Sequence, residues 1–125
     1  MLINTGYMDH YFAAFPEGRR LVHEGVESKS VPGWPVPSDE CFQLLGKRGV
    51  RHVGISSPSM GALDDAHGTH NSGLAHGITF AEGLVNLDKV PARGGLYVGL
   101  PLKISGQSGS PIRAVAFVPK GEKRE

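Results

Sequence analysis

His70 and Glu82 stand twelve positions apart in the stretch from His70 to Leu87, HNSGLAHGITFAEGLVNL. An imidazole and a carboxylate are suitable ligands for zinc or manganese. The elements between them decide whether they can meet. His70 opens a short helical register with Leu74 one turn on, and Gly77 stops it. Ile78 to Ala81 then reads as a strand that delivers Glu82. A helix start and a strand end can lie side by side, so the two residues can hold one metal ion between them. The spacing alone is a weak signal, because a histidine near a helix start is more often a surface or hydrogen-bonding residue.

The other chemistry-bearing residues have plainer readings. His67 lies three before His70, a spacing that chelates if the helix begins early enough, but Gly68 and Thr69 suggest a turn there. His76, beside Gly77, reads as a cap on helix carbonyls. His10, His23 and His52 have no partner in sequence, and His52 is expected on the solvent side of its strand. Asp64-Asp65 reads as negative charge before a helix start rather than as acid/base carboxylates. Ser57 and Ser59 lack the Gly-x-Ser-x-Gly elbow of a nucleophilic serine. Gly106-Gln107-Ser108-Gly109-Ser110 lacks the Lys and the following helix of a phosphate loop, so it reads as a turn between strands. No catalytic or cofactor-binding residue is assigned.

These residues need a scaffold, and eighteen glycines with nine prolines point to short strands and tight turns. Leu2 to Asn4 is too short to stand alone and is expected at a sheet edge. Val31 to Pro37 holds three prolines, which remove donors and fix φ, so it reads as a loop or edge segment anchored by Trp34. Ser38 is a good N-cap, with Asp39 and Glu40 in the first turn, and Gly49 is placed to end the helix. Val50 to Ile55 reads as a strand with Val53 and Ile55 on one face. Leu96 to Ile104 reads as a strand bent at Pro101. Ile112 to Val118 is the expected last strand, with Ile112, Ala114, Ala116 and Val118 on one face. The expected fold is α/β, a mixed sheet of short strands with one or two helices.

Composition narrows the class. A chain of 125 residues has room for one compact core, with 39% hydrophobic and 20% charged residues. The expectation is a single domain over 1–119 and a solvated charged tail over 120–125, with no repeat and no boundary between. Thirteen Lys and Arg against twelve Asp and Glu leave no electrostatic footprint for nucleic acid or an anionic membrane. The lone Cys41 cannot form an internal disulfide and reads as packing. The start lacks a basic segment followed by a long apolar run, and no stretch reaches membrane-spanning length. A cytoplasmic protein is the default.

Several blocks, taken in order, resemble the C-terminal half of the metal-dependent cyclase family, which includes the bacterial kynurenine formamidases. Leu2-Ile3-Asn4-Thr5-Gly6 is similar to that family's LIRTG, with Asn4 where Arg is usual. Leu44 to Ile55, LLGKRGVRHVGI, resembles its helix, glycine stop and buried strand, and Ser57-Pro58-Ser59-Met60-Gly61 the loop that follows. Asn86-Leu87, Leu100 to Ile104 (LPLKI) and Gly109 to Ala114 (GSPIRA) resemble the closing NL, PLKI and GSPVRA run. The resemblance places His70 and Glu82 on two positions that supply metal ligands. The family's main signature, H-x-G-T-H-x-D-x-P-x-H, has no counterpart here. Gly68-Thr69-His70 copies its GTH, but Ala66, Ser72 and Leu74 stand where the first His, the Asp and the Pro belong.

The resemblance implies part of a swivelling β/β/α domain. In complete members it implies zinc or manganese and hydrolysis of an amide or ester carbonyl, as in N-formylkynurenine or a cyclic amide. Three readings compete for this chain. It is a hydrolase subunit whose site a separate polypeptide completes, or a non-catalytic remnant serving assembly or binding. The third reading is a reduced enzyme that builds its site by self-association, with His67 or His76 supplementing the pair. The second is preferred for the chain alone, with no metal held tightly. An apolar face left by a missing half should be covered, so a homodimer or larger oligomer is expected, burying more than roughly 1,000 Å².

Overall fold

The computed structural model describes residues 1–13, 28–29 and 32–120, so His23 and the tail beyond Lys120 lie outside the described residues. By internal contacts the chain divides into two compact units, Met1–Leu87 and Asp88–Glu125, at a point where the sequence shows no composition break.

The first unit is built on three parallel strands, β1 (Leu2–Ile3), β2 (His52–Ile55) and β3 (Thr79–Ala81), in the order β1-β2-β3. β1 is at the edge, as its length predicts. It pairs Leu2 with Gly54 and Ile3 with Ile55, while β2 pairs Val53 with Phe80 and Gly54 with Ala81. Among the described residues, three helices accompany the sheet: α1 (Tyr7–Tyr11), α2 (Asp39–Lys47) and α3 (Ala66–Ala75). Residues 32–38 form no helix or strand, and Trp34 anchors them by donating its indole N–H to the Gly61 carbonyl (2.9 Å).

α2 starts and stops where its sequence dictates. The Ser38 hydroxyl accepts from the Cys41 amide, and Asp39 and Glu40 occupy the first turn. A hydrogen bond from Ser38 holds the Glu40 carboxyl below the ordinary glutamate range. Gly49, at φ 76°, takes the left-handed conformation that turns the chain from helix to strand. The apolar stripe of α2 meets the sheet in one core of Phe42, Leu45, Val53, Ile55, Met60 and Ile78, with Ile3, Cys41, Val50 and Phe80 against it.

α3 differs from expectation. It begins at Ala66, one turn before His70, because Asp65 caps it by accepting from the Gly68 amide (2.8 Å). The turn expected at Gly68-Thr69 is absorbed into the helix, since the Thr69 hydroxyl is taken up by the Met60 carbonyl instead of competing with the helix backbone. His67 is therefore a helical residue. Gly73 lets α3 approach the core, because a Cβ there would strike the rings of Phe80 and Phe42.

The second unit is an antiparallel hairpin of β4 (Leu96–Pro101) and β5 (Ile112–Phe117). β4 ends at Pro101, where the sequence predicted a bend with continuation to Ile104. The fold is thus α/β with both strand directions, parallel in one sheet and antiparallel in the other. Among the described residues, no helix is long and apolar enough to cross a membrane.

Candidate functional site

The three parallel strands end on one edge of their sheet, and the polar residues that follow them gather there. β1 runs into Asn4 and Thr5, β2 into Ser56 and Ser57, and β3 into Glu82. The carboxyl edge is where ligands bind in open α/β sheets, because the strand ends and the loops beyond them converge on that side.

Glu82 meets His70 there, with His70 Nε2 3.1 Å from Glu82 Oε1. The same Oε1 accepts the Met60 amide at 2.6 Å, which fixes the carboxylate from the backbone. The Met60 carbonyl in turn accepts the Thr69 hydroxyl at 2.7 Å. Thr69 precedes His70 on α3, so one peptide joins the helix carrying the imidazole to the strand end carrying the carboxylate. The Phe80 ring meets the His70 ring edge to face, with centroids 5.7 Å apart. Immediately after Glu82, Gly83 adopts φ 67° and turns the chain back, so that its amide reaches the Ser57 carbonyl (2.8 Å). The His70 and Glu82 side chains keep 31% and 34% of their surface exposed, enough to be reached by a ligand.

Beside the pair lies a network of hydroxyls. Ser56 and Ser57 are fully buried. The Ser56 hydroxyl donates to Asn4 Oδ1 (3.1 Å) and accepts the Thr5 amide (2.8 Å). The Ser57 hydroxyl donates to the Pro35 carbonyl (2.6 Å). These bonds tie both buried hydroxyls into the structure.

The remaining histidines are placed as follows. His76 Nδ1 bonds the Ser72 carbonyl (2.7 Å), which is the cap on α3 that its position predicts. The His52 expectation is corrected. Its ring does not face open solvent but bonds Thr79 on the neighbouring strand through Nδ1 (2.9 Å), with Nε2 buried. Partial burial, reinforced by the Met1 ammonium, pushes its pKa below the ordinary imidazole value. Among the described residues, no three His, Cys, Asp or Glu side chains come together in a geometry able to hold a metal. His67 and His76 do not join the pair. Sequence reasoning missed the Met60 peptide and the Thr69 hydroxyl. A backbone amide leaves no mark in a sequence, and Thr69 after Gly68 carries only the signal of a turn.

His70 and Glu82 do fit two corners of a metal site. Ligand atoms each about 2 Å from a tetrahedral zinc stand roughly 3.3 Å apart, close to the observed 3.1 Å. Two donors fall short of the three protein ligands that catalytic zinc sites generally use.

No family model matches this chain. It is similar to isatin hydrolase of Roseibium aggregatum, with 35% identity over 94 residues, which are 71% of this chain and 36% of that protein. It is also similar to kynurenine formamidase of Bacillus cytotoxicus, 38% identical over 77 residues, or 61% of this chain and 36% of that protein. The chain therefore spans about a third of the length of these curated relatives. Among solved structures, isatin hydrolase A from Labrenzia aggregata bound to benzyl benzoate aligns with a TM-score of 0.67 and 26% identity, over 94% of this chain and 44% of that one. A potential metal-dependent hydrolase with cyclase activity aligns with a TM-score of 0.60 and 27% identity, over 69% of this chain and 42% of that one.

Proposed function

Because this chain belongs to the cyclase family of metal-dependent hydrolases and corresponds to part of its members, we propose that it is a module supplying two ligands, His70 and Glu82, to a bipartite metal site. By itself it serves assembly or binding and does not hydrolyse. The observation that carries this reading is the 3.1 Å approach of His70 Nε2 to Glu82 Oε1 at the carboxyl edge of the parallel sheet. A bound zinc or manganese would polarise a substrate carbonyl and lower the pKa of its water. This chain's part is to hold an imidazole nitrogen and a carboxylate oxygen at ligand separation, with the Met60 amide fixing the carboxylate.

A second reading is favoured by that same preorganisation, since the pair is braced from the backbone and open to solvent. In it the chain is a subunit of a hydrolase acting on a linear or cyclic amide, of the arylformamidase kind. Its missing ligands and proton-transfer histidine come from another polypeptide carrying H-x-G-T-H-x-D-x-P-x-H, or from self-association.

The test has two arms. The pure chain is dialysed against zinc and manganese, analysed for metal, and assayed on N-formylkynurenine. It is then mixed with a polypeptide carrying the N-terminal signature and measured again. The module reading expects little metal and no turnover from the chain alone. Metal binding should appear in the mixture and be lost in His70→Ala and Glu82→Gln. About one tightly held metal per isolated chain, with activity lost in His70→Ala, would overturn it in favour of a self-assembled enzyme. Mixtures in which both variants bind metal like the parent would remove the pair from the site altogether.

A further inference from the structure

The Met60 amide fixes the Glu82 carboxylate from the backbone, but a braced carboxylate does not by itself orient its imidazole partner. The outer torsion of a histidine side chain is broad and has no sharp wells to hold the ring plane. With 31% of the His70 side chain exposed, that plane depends on the neighbours that touch the ring. Phe80 is such a neighbour. It lies edge to face with His70, at 5.7 Å between centroids and 69° between planes. Phe80 is itself wedged: it meets the fully buried Phe42 at 5.3 Å between centroids. Its ring tip occupies the space that a Cβ on Gly73 would need, and its backbone is paired with Val53 in the sheet.

We propose that Phe80 is a positioning residue, which sets the plane of the His70 imidazole so that Nε2 faces Glu82. Its functional value rests on the reading of His70 and Glu82 as metal ligands, although its geometry does not. Spacing explains how one side chain reaches the pair. His70 and Gly73 are three apart on α3, so they are neighbours on one helix face. The glycine leaves that face open beside the histidine, and the Phe80 ring fills the opening. Phe80 also stands two residues before Glu82, on the strand that delivers the carboxylate. β3 thus serves both ligands: its end carries one, and its aromatic residue holds the other in plane. An aliphatic side chain could fill similar volume, but only an aromatic ring has the quadrupole that favours the edge-to-face arrangement.

Nuclear magnetic resonance on the full chain tests this without metal. Cross-relaxation between the ring protons of Phe80 and His70 is expected, with the His70 ring nearly as ordered as its helix. Phe80→Leu keeps an apolar side chain and removes the ring, so the His70 ring should gain fast mobility on the ps–ns scale. The Met60 amide resonance, which reports the Glu82 carboxylate, should move little. His76, on the other end of the helix and bonded to the Ser72 carbonyl, should keep its order. Ile78→Val, which trims a fully buried residue just before β3, should lower stability without freeing the His70 ring. In the two-polypeptide mixture, Phe80→Leu should weaken metal binding by roughly fivefold, because the ligand is no longer oriented in advance. Absence of the Phe80–His70 cross-relaxation in the parent chain overturns the proposal, whether or not any variant folds. A ring still ordered in Phe80→Leu, or freed equally by Ile78→Val, overturns it as well. So does a freed ring that leaves metal uptake at the parent's level. A parent mixture that takes up no metal removes the ligand reading instead, while ring order in the chain alone still decides whether Phe80 positions His70.

Discussion

The hydroxyl of Thr69 donates to the carbonyl of Met60 at 2.7 Å, while the amide of Met60 donates to Glu82 at 2.6 Å. Met60 is fully buried and Thr69 nearly so. Thr69 therefore acts on the His70–Glu82 pair without touching it. It holds the peptide that aims the carboxylate, and it does so from the residue next to the imidazole.

Thr69→Val should expose that dependence. Valine keeps the shape and removes the donor, leaving a buried carbonyl unsatisfied, at a cost of about 1–3 kcal/mol. Urea unfolding should show the loss, and Thr69→Ser should recover most of it. If the clamp orients Glu82, Thr69→Val should also weaken metal uptake in the two-polypeptide mixture, with Thr69→Ser restoring it. A stability loss with unchanged metal uptake would leave Thr69 a purely structural residue.

Gly73→Ala sets two effects against each other. Alanine gains up to about 1 kcal/mol over glycine in a helix interior. Its methyl group, however, would strike Phe80 and Phe42 at the contact between α3 and the core, and overpacking costs about 1–3 kcal/mol. The clash should win, so the variant should unfold at lower urea than the parent. An unchanged or higher midpoint would mean that the two rings yield without cost.

The pKa of His52 is lowered in the folded protein, by partial burial first and by the Met1 ammonium second. Below the ordinary imidazole value of 6.5 the unfolded chain takes up the proton more readily than the folded one. The stability contribution of neutral His52 is therefore complete above that value and declines as pH falls through it. Unfolding measured across this range should show the decline, and His52→Gln should flatten it. A His52→Gln profile as steep as the parent's would assign the pH dependence to other groups.

The sequence disclosed the elements that rest on local rules. Ser38 announced α2 through capping, Gly49 ended it through its left-handed turn, and Gly77 and the apolar run after it announced β3. The His70–Glu82 contact was legible because a helix, a glycine stop and a strand joined the two residues within a short span. What escaped depends on long-range partners. Gly68 and Thr69 look like turn residues until the Met60 carbonyl engages the threonine hydroxyl. His52 looks solvent-facing until Thr79 arrives beside it on β3. The sequence points to Ile112, Ala114, Ala116 and Val118 as one face of the last strand, whereas the most exposed apolar side chain of β5 is Phe117 on the alternate face, at 64%.

β1 is two residues long and meets its partner β2 across a span of about fifty residues. β2 and β3 are joined over roughly half that distance. Loop-closure entropy and contact order therefore set a sequence of assembly in which β2, α3 and β3 associate first and β1 docks last. The amides of Gly54 and Ser56 donate to the Met1 and Ile3 carbonyls, so they report on that last step. In native-state hydrogen exchange they should open ahead of the Thr79 amide, which bonds the Arg51 carbonyl at the start of the β2–β3 pairing. The strand that leads the chain is then the one most easily lifted from the sheet, and with it go Asn4 and Thr5, the partners of the buried Ser56 hydroxyl at the edge where Glu82 stands.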